Sequence, residues 1–392
     1  MTASVMDIRE RWRMGLESRA IIILNAAMLA VGLAVLYSAS AIEAMRDGHG
    51  SMYYLLKQLG GIGIGIVFFA FAAKVDAEKW RDWAWPIMIA TIALLLFVVL
   101  PGTQHFAPRI NGSRRWINLG TTLQPSEFAK LSLVIWCAML VVKKGDSMRR
   151  LTKGLPPFLL VIGLLDLLVI LEPDLSQAMM FTLMLGIILF AGGVRIGHFV
   201  VLGALSIPIL WHEIEKVQYA LLRMVSFFDP GGAPAEASYQ LKQSLVAVGS
   251  GGWFGVGFGQ GRQQTGFLPF PYSDFIGGNI GEEWGFVGLL VVVLGFALYG
   301  WLGFRIARQA RTPFQQLVAV GITVTTVLTA YLHIGVVIGL LPTTGLTLPF
   351  FSFGRSNLVL SLLMTGILVN IGSTRERVVG ARATDPLSVV PA

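Results

Sequence analysis

Tyr239–Gly288 reads YQLKQSLVAVGSGGWFGVGFGQGRQQTGFLPFPYSDFIGGNIGEEWGFVG. Lys242, Arg262, Asp274, Glu282 and Glu283 stand here among many glycines, in a chain of 392 residues that is 55% hydrophobic and only 13% charged. A soluble domain carries about 25% charged residues. With a mean hydropathy of +0.70, the composition is that of a polytopic membrane protein. Hydrophobic segments flank the stretch on both sides, which puts its ionisable groups at or near a membrane boundary. An ionisable group is costly there and marks function.

Working outward at about 20 apolar residues per span, we expect helices near 20–40, 53–73, 83–100, 125–143, 155–172, 175–193, 196–211, 284–304, 316–341 and 356–373. The fold class is therefore all-α, with about ten transmembrane helices. Segment 1–19 precedes them, a membrane domain covers 20–373 with one large loop over 212–283, and a tail follows over 374–392. The tail from Ala381 is expected to be disordered. His212–Phe228 alternates charged and apolar residues, as a helix at the interface does, and it equally fits an extension of the seventh span.

Most of the 30 Lys and Arg fall in short segments that share one side: Arg9, Arg11, Arg13 and Arg19, then Lys74, Lys79 and Arg81, then Lys143 to Lys153, Arg195, Arg305 to Arg311 and Arg375 to Arg382. The bias puts both termini in the cytoplasm and segments 101–124, 212–283 and 342–355 outside. It also accounts for the net charge of +8 without a nucleic-acid partner. The single cysteine, Cys137, lies in an apolar run, which excludes an intrachain disulfide and a thiolate metal cluster. Ile21–Leu36 is read as an anchor, not a signal peptide, because it is too long and too poorly supplied with a small-residue cleavage site.

Asn111–Lys130 reads NGSRRWINLGTTLQPSEFAK. Pro125 suits a first helical turn, and the helix dipole favours Glu127 in that turn. Glu127 and Lys130 are three residues apart and share a face, so they can pair. Arg114 and Arg115, beside a tryptophan, suit a lipid diphosphate. In LEPDLSQ, Leu171–Gln177, Asp174 reads as the N-cap of the next helix. In the central stretch, Asp274 follows FPYS and precedes a glycine-rich segment. A partly apolar pocket would raise its pKa toward that of a useful base. Pro342, Gly345 and Pro349 interrupt helix after His333, and irregular backbone at that depth belongs against a polar cavity, the one we expect Asp274 to share. His333 itself reads as a packed, hydrogen-bonded residue.

Four blocks, RRWINLGTTLQPSEFAK, LEPDLSQ, the central stretch and GLLPTTGLTLPFFSFGRSN, together resemble the SEDS family (shape, elongation, division and sporulation), and EPDL, GEEWG and TTGLTLP are more similar to its division branch than to its elongation branch. The resemblance implies an inverting peptidoglycan glycosyltransferase that polymerises lipid II on the outer face of the cytoplasmic membrane and releases undecaprenyl diphosphate. It implies Asp274 as catalytic base, Glu127 and Lys130 as a functional charged pair, and Arg114, Arg115, Lys242, Arg262 and Glu283 as supporting or substrate-binding residues. The implied partners are lipid II, the undecaprenyl diphosphate-linked glycan, membrane lipids, a class B penicillin-binding transpeptidase and other divisome or elongasome membrane proteins. No nucleotide is required, and a divalent cation, Mg or Mn, is left open as a cofactor. The chain departs from the family at Ser176, Gln177, Tyr272, Ser273, His333, Arg355 and Asn357. Two other readings stand beside it: a lipid II transporter, which would need a polar path through both leaflets, and a structural activator of a transpeptidase.

Overall fold

The computed structural model describes residues 8–109, 113–118, 122–204, 218–229 and 234–379. Its helices are α1 (Leu16–Arg46), α2 (Tyr53–Lys74), α3 (Lys79–Val99), α4 (Pro125–Lys144), the single turn α5 (Leu151–Gly154), α6 (Pro156–Leu171), α7 (Leu175–Ala191) and α8 (196–204). They continue with α9 (Gln218–Phe228), α10 (Ala235–Gly251), α11 (Ile276–Glu283), α12 (Gly285–Arg308), α13 (Pro313–Val337) and α14 (Arg355–Ile371). Six of these (α1, α2, α3, α4, α12 and α13) are long and apolar enough to cross a membrane, and α6, α7 and α14 are shorter apolar helices. The chain is a multi-pass membrane protein. Of the span expected over 196–211, residues 196–204 are helical and the rest lie outside the described residues, as does the tail from Ala381.

Local chemistry sets the ends of the helices. Pro125 and Pro313 occupy first helical turns, where a missing N–H goes unused. Thr312 caps α13 by accepting from the Gln315 N–H at 3.2 Å. Lys143 and Lys144 end α4, and Arg305 and Arg308 end α12, each where the helix dipole favours a cation.

The bundle closes around α4, which is buried along nearly its whole length; Trp136 is fully enclosed and meets Trp85 and Phe158 edge-on. Small residues bring neighbouring helices together, since lipid supplies no hydrophobic drive between them. A Cβ on Gly65 of α2 would lie 2.4 Å from Leu362 of α14, and one on Gly366 of α14 would lie 2.5 Å from the Phe69 carbonyl.

Three features differ from the sequence reading. α1 runs 31 residues and starts at Leu16, because Ser18 and Glu17 find partners in Val369 and Arg305 that draw the first turn into the bundle. The segment read as a large loop over 212–283 holds two further helices, α10 and α11, beside α9, which falls in the His212–Phe228 stretch read as helical. Strand β1 (Ile8–Met14) pairs antiparallel with strand β4 (Ser373–Val379), whereas no strand was expected at either terminus. A second, two-residue ribbon joins β2 (Ile117–Asn118) to β3 (Thr122–Leu123) beside the start of α4.

Candidate active site

Asp274 sits on the short segment between residue 265 and α11, and both of its flanks are pinned. Phe275 is buried with Ala247, Leu268, Val336 and Val337. On the other flank, the Phe353 N–H donates to the Tyr272 carbonyl at 2.8 Å, and Ser352 Oγ donates to the Ser273 carbonyl at 2.7 Å. The 342–354 loop expected to share a cavity with Asp274 therefore does hold its segment. Gly345 of that loop faces the carboxylate: a Cβ there would lie 3.7 Å from Asp274 Oδ2.

His333 stitches the same parts together from within α13. Its Nε2 accepts from the Gly277 N–H at 3.3 Å, which leaves Nδ1–H to donate to the Leu346 carbonyl at 2.8 Å. Both ring nitrogens are used, as the packed reading of this histidine expects.

Burial holds the Asp274 carboxyl above its usual range; Asp174 adds to that shift, while Ser273, Arg223 and Arg115 oppose it. Arg223 comes from α9, Asp174 from the turn between α6 and α7, and Arg115 from the segment just before β2. Arg223 Nη1 donates to the Thr343 carbonyl at 3.1 Å, which places its guanidinium against the 342–354 loop. Arg115 pairs with Asp174 at 3.2 Å, and it also donates to the carbonyls of Glu172, at 3.3 Å, and Pro173. Asp174 accepts from the Gln177 N–H at 3.3 Å, so the expected N-cap is present and is tied to Arg115 besides. Burial pushes its carboxyl up against the pull of Arg115.

Glu127 and Lys130 pair at 2.8 Å, and each is 3% exposed. Gln177 Nε2 donates to the same Glu127 oxygen at 3.2 Å, which links the start of α4 to α7. Each of these two charges also acts on Asp174, so the pair belongs to the network that reaches Asp274.

The remaining expected residues are placed elsewhere. Lys242 lies on the exposed face of α10 and makes no hydrogen bond or ion pair among the described residues. The side chain of Arg262 is exposed, and its backbone N–H, with that of Gln263, is what Glu282 accepts from, at 2.7 Å and 3.1 Å. Glu283 is buried and accepts from Ser38 of α1, which makes it a tie between α1 and α11. Arg114 turns away from Arg115 and donates to the Leu100 carbonyl at 3.4 Å. The charges acting on Asp274 include Arg115 and Arg223, and neither Lys242 nor Arg262 is among them.

Sequence reasoning missed Arg223 and Gln177 as site residues, and it placed Gly345 only within the loop expected beside Asp274. Gln177 carried a usable signal, because an amide one turn after a capping Asp is well placed to reach a buried ion pair. Arg223 carried none, since only tertiary packing brings α9 to the 342–354 loop. Among the described residues, no group of three or more His, Cys, Asp or Glu could hold a metal ion.

Residues 18–377 match the family profile described as Cell cycle protein, which groups FtsW, RodA and SpoVE. The chain is 35% identical to a probable peptidoglycan glycosyltransferase FtsW of Trichlorobacter lovleyi over 93% of its own length and 96% of the relative's. It is 37% identical to the stage V sporulation protein E of Bacillus subtilis over 90% and 95%. Among solved structures it superposes with a TM-score of 0.76, at 25% identity and over 90% and 97% of the two chains, on a chain from a peptidoglycan synthase complex studied for the coordination of polymerization and crosslinking. A mutant of the Thermus thermophilus rod shape determining protein RodA gives a TM-score of 0.64 at 25% identity, over 90% and 96%. Matched over residues 18–377 in sequence and over 90% of its length in fold, the chain belongs to the FtsW, RodA and SpoVE family, the SEDS family that its motifs resemble.

Proposed function

We propose that this chain is a peptidoglycan glycosyltransferase of the division type, which joins lipid II units into glycan strands, with Asp274 as its general base. The 4-hydroxyl of the GlcNAc of one lipid II gives its proton to Asp274 as its oxygen bonds to C1 of the MurNAc at the lipid-linked end of the chain. The bond from C1 to the diphosphate oxygen breaks on the opposite face, and undecaprenyl diphosphate leaves with the electron pair. A base with a raised pKa suits a sugar hydroxyl, and nearby cations suit developing negative charge on a leaving group. Arg115 and Arg223 are the cations closest in influence to Asp274.

The observation that carries this reading is the placement of Asp274: a carboxylate raised by burial, pinned on both flanks and facing a glycine. Glu127 and Lys130 hold the start of α4 to α7 and so position the turn that carries Asp174, to which Arg115 pairs. A class B penicillin-binding transpeptidase is the partner that would crosslink the strands. The basic-residue bias supports an inner-membrane orientation with both termini cytoplasmic and Asp274 on the outer face.

Gel-resolved glycan synthesis from labelled lipid II tests the reading, using purified protein with a transpeptidase whose catalytic serine is replaced. Asp274→Asn should lower polymerisation by about 10² to 10⁴-fold with lipid II binding retained. Near-normal strand formation by folded Asp274→Asn would remove Asp274 as the base. Movement of lipid II across vesicles without polymer would instead favour the transporter.

A further inference from the structure

Arg114 and Arg115 are neighbours with opposite fates. Arg115 is saturated by Asp174 and two carbonyls on the α6–α7 turn. Arg114 points to the far side of that turn, where its Nε is buried without a partner. There, the ends of α3 and α6 and the segment after α3 enclose two adjoining clefts of about 210 and 290 Å³, both lined by Gln104, Arg109 and Arg114. Arg109 is exposed and makes no hydrogen bond or ion pair among the described residues.

The smaller cleft has a fourth polar group. Glu172 lines it, is 1% exposed, and has neither carboxyl oxygen hydrogen-bonded. It forms no ion pair with Arg114 either, although both border the same space. A buried carboxyl left this way is costly as an anion, and burial, together with the charge of Asp174, pushes it up to about 9 against the pull of Arg115. At neutral pH it is therefore a neutral acid with an O–H to donate. Pro173 separates Glu172 from Asp174, so the turn presents one carboxyl to this cleft and the other to the Asp274 network.

Two guanidinium groups, a carboxamide and a carboxylic acid form a donor-rich wall, and the chemistry that consumes many donors at once is a phosphate group. The lining also includes apolar Val99 and Leu171 at the ends of their helices. A volume of 210 Å³ is about seven times the ~30 Å³ share of one water, ample for a phosphate. Leu171, and Leu167 one turn before it on α6, are both more than half exposed.

We propose that the cleft lined by Gln104, Arg109, Arg114 and Glu172 is a binding site for the phosphate of a membrane amphiphile, separate from the site at Asp274. It rests on the reading of this end of the bundle as a membrane surface and is independent of the role given to Asp274.

The test is equilibrium binding of a fluorescent prenyl phosphate to the purified full chain in nanodiscs of phosphatidylcholine. The Arg109→Gln/Arg114→Gln double variant should bind at least about tenfold more weakly, because both charge-assisted contacts are lost. Its elution profile and thermal unfolding should match the parent, since Arg109 is exposed and Arg114 makes a single long hydrogen bond. Glu172→Gln keeps a donor and should bind within a few fold of the parent, whereas Glu172→Leu should not. Asp274→Asn should bind as the parent does, which separates this site from the failure of the glycosyltransferase reading. Competition by unlabelled prenyl phosphate alone identifies a lipid carrier as the ligand, and competition by phosphatidylglycerol as well identifies a general anionic headgroup; either supports the site. Unchanged affinity in the folded double variant would overturn the proposal, as would equal competition by inorganic phosphate or a loss of binding confined to Asp274→Asn.

Discussion

At the scale of single residues, the proposed base Asp274 faces Gly345, where an added Cβ would lie 3.7 Å from Asp274 Oδ2. Burial raises the Asp274 pKa, and a base works only when unprotonated, so polymerisation should fall as pH drops through that raised value. The acid limb of a pH–rate profile should therefore lie above the range of an exposed aspartate near 3.9. Gly345→Ala adds a Cβ at ordinary contact distance and should retain partial activity, whereas Gly345→Val should approach the loss expected for Asp274→Asn while leaving thermal unfolding near the parent value. A glycan-synthesis assay on both variants checks this, and full activity of Gly345→Val would show that the substrate reaches Asp274 from another side. Glu127 and Lys130 act as a unit. Removing one leaves a buried charge unpaired, at a cost of about 3 to 5 kcal/mol, so in a double-mutant cycle of stability the Glu127→Ala/Lys130→Ala double change should cost less than the sum of the singles. Additive losses would separate the two residues.

At the scale of elements, the crossing of the α10–α11 region depends on glycines that stand in for side chains the space cannot hold. Gly255 has a φ of +80° and a Cβ there would lie 2.0 Å from the Glu283 carbonyl. Gly251 is equally tight, with a Cβ at 1.9 Å from the Gly281 carbonyl. Gly255→Ala should cost about 1 to 3 kcal/mol from its backbone conformation alone, with the steric clash added. A Cβ added at Gly249, on the exposed face of α10, would meet no atom within 4 Å, so Gly249→Ala should be neutral or stabilising through helix propensity. Thermal unfolding of the two variants in detergent gives the comparison, and equal behaviour would mean that the close approach does not limit stability. The same crossing carries Glu282 to the N–H groups of residues 262 and 263 and Glu283 to Ser38, so it sets where the Asp274 segment begins.

At the scale of the whole molecule, the pairing of β1 with β4 brings both termini to one end of the bundle. In its register Glu10 stands opposite Arg377 and Arg11 opposite Glu376. A Cys137→Ala chain carrying Arg11→Cys and Glu376→Cys should form an intrachain disulfide under mild oxidation, whereas Arg11→Cys with Gly145→Cys should not; a gel-mobility assay reads the difference. The proposed orientation is checked by impermeant labelling of intact cells in the same background. Cysteine at position 274 should be labelled and cysteine at position 145 should not, and the reverse pattern would invert the topology.

Composition and periodicity alone determined that this chain is a helical membrane protein, because apolar runs of about 20 residues have no other stable fate. They also located the Glu127–Lys130 pair and the Asp174 cap, since spacing within one helix or turn fixes those neighbours. Asp274 was legible as an acid in a polar, glycine-rich stretch flanked by helices. Its surroundings were not. Beyond the loop of Gly345, Arg223, Arg115 and the turn carrying Asp174 lie far apart in sequence, and only helix packing brings them to one place. The opposite fates of Arg114 and Arg115 had the same origin. Sequence makes them equivalent adjacent cations, but the α6–α7 turn offers its carbonyls and Asp174 to one and leaves the other facing the cleft beside Glu172. Lys242 and Arg262 likewise shared the stretch with Asp274 without sharing its site, because α10 turns the first outward and the second meets Glu282 only through its backbone. Neighbourhood along the chain follows from local geometry, and neighbourhood in space was decided by which helix faces could bury one another.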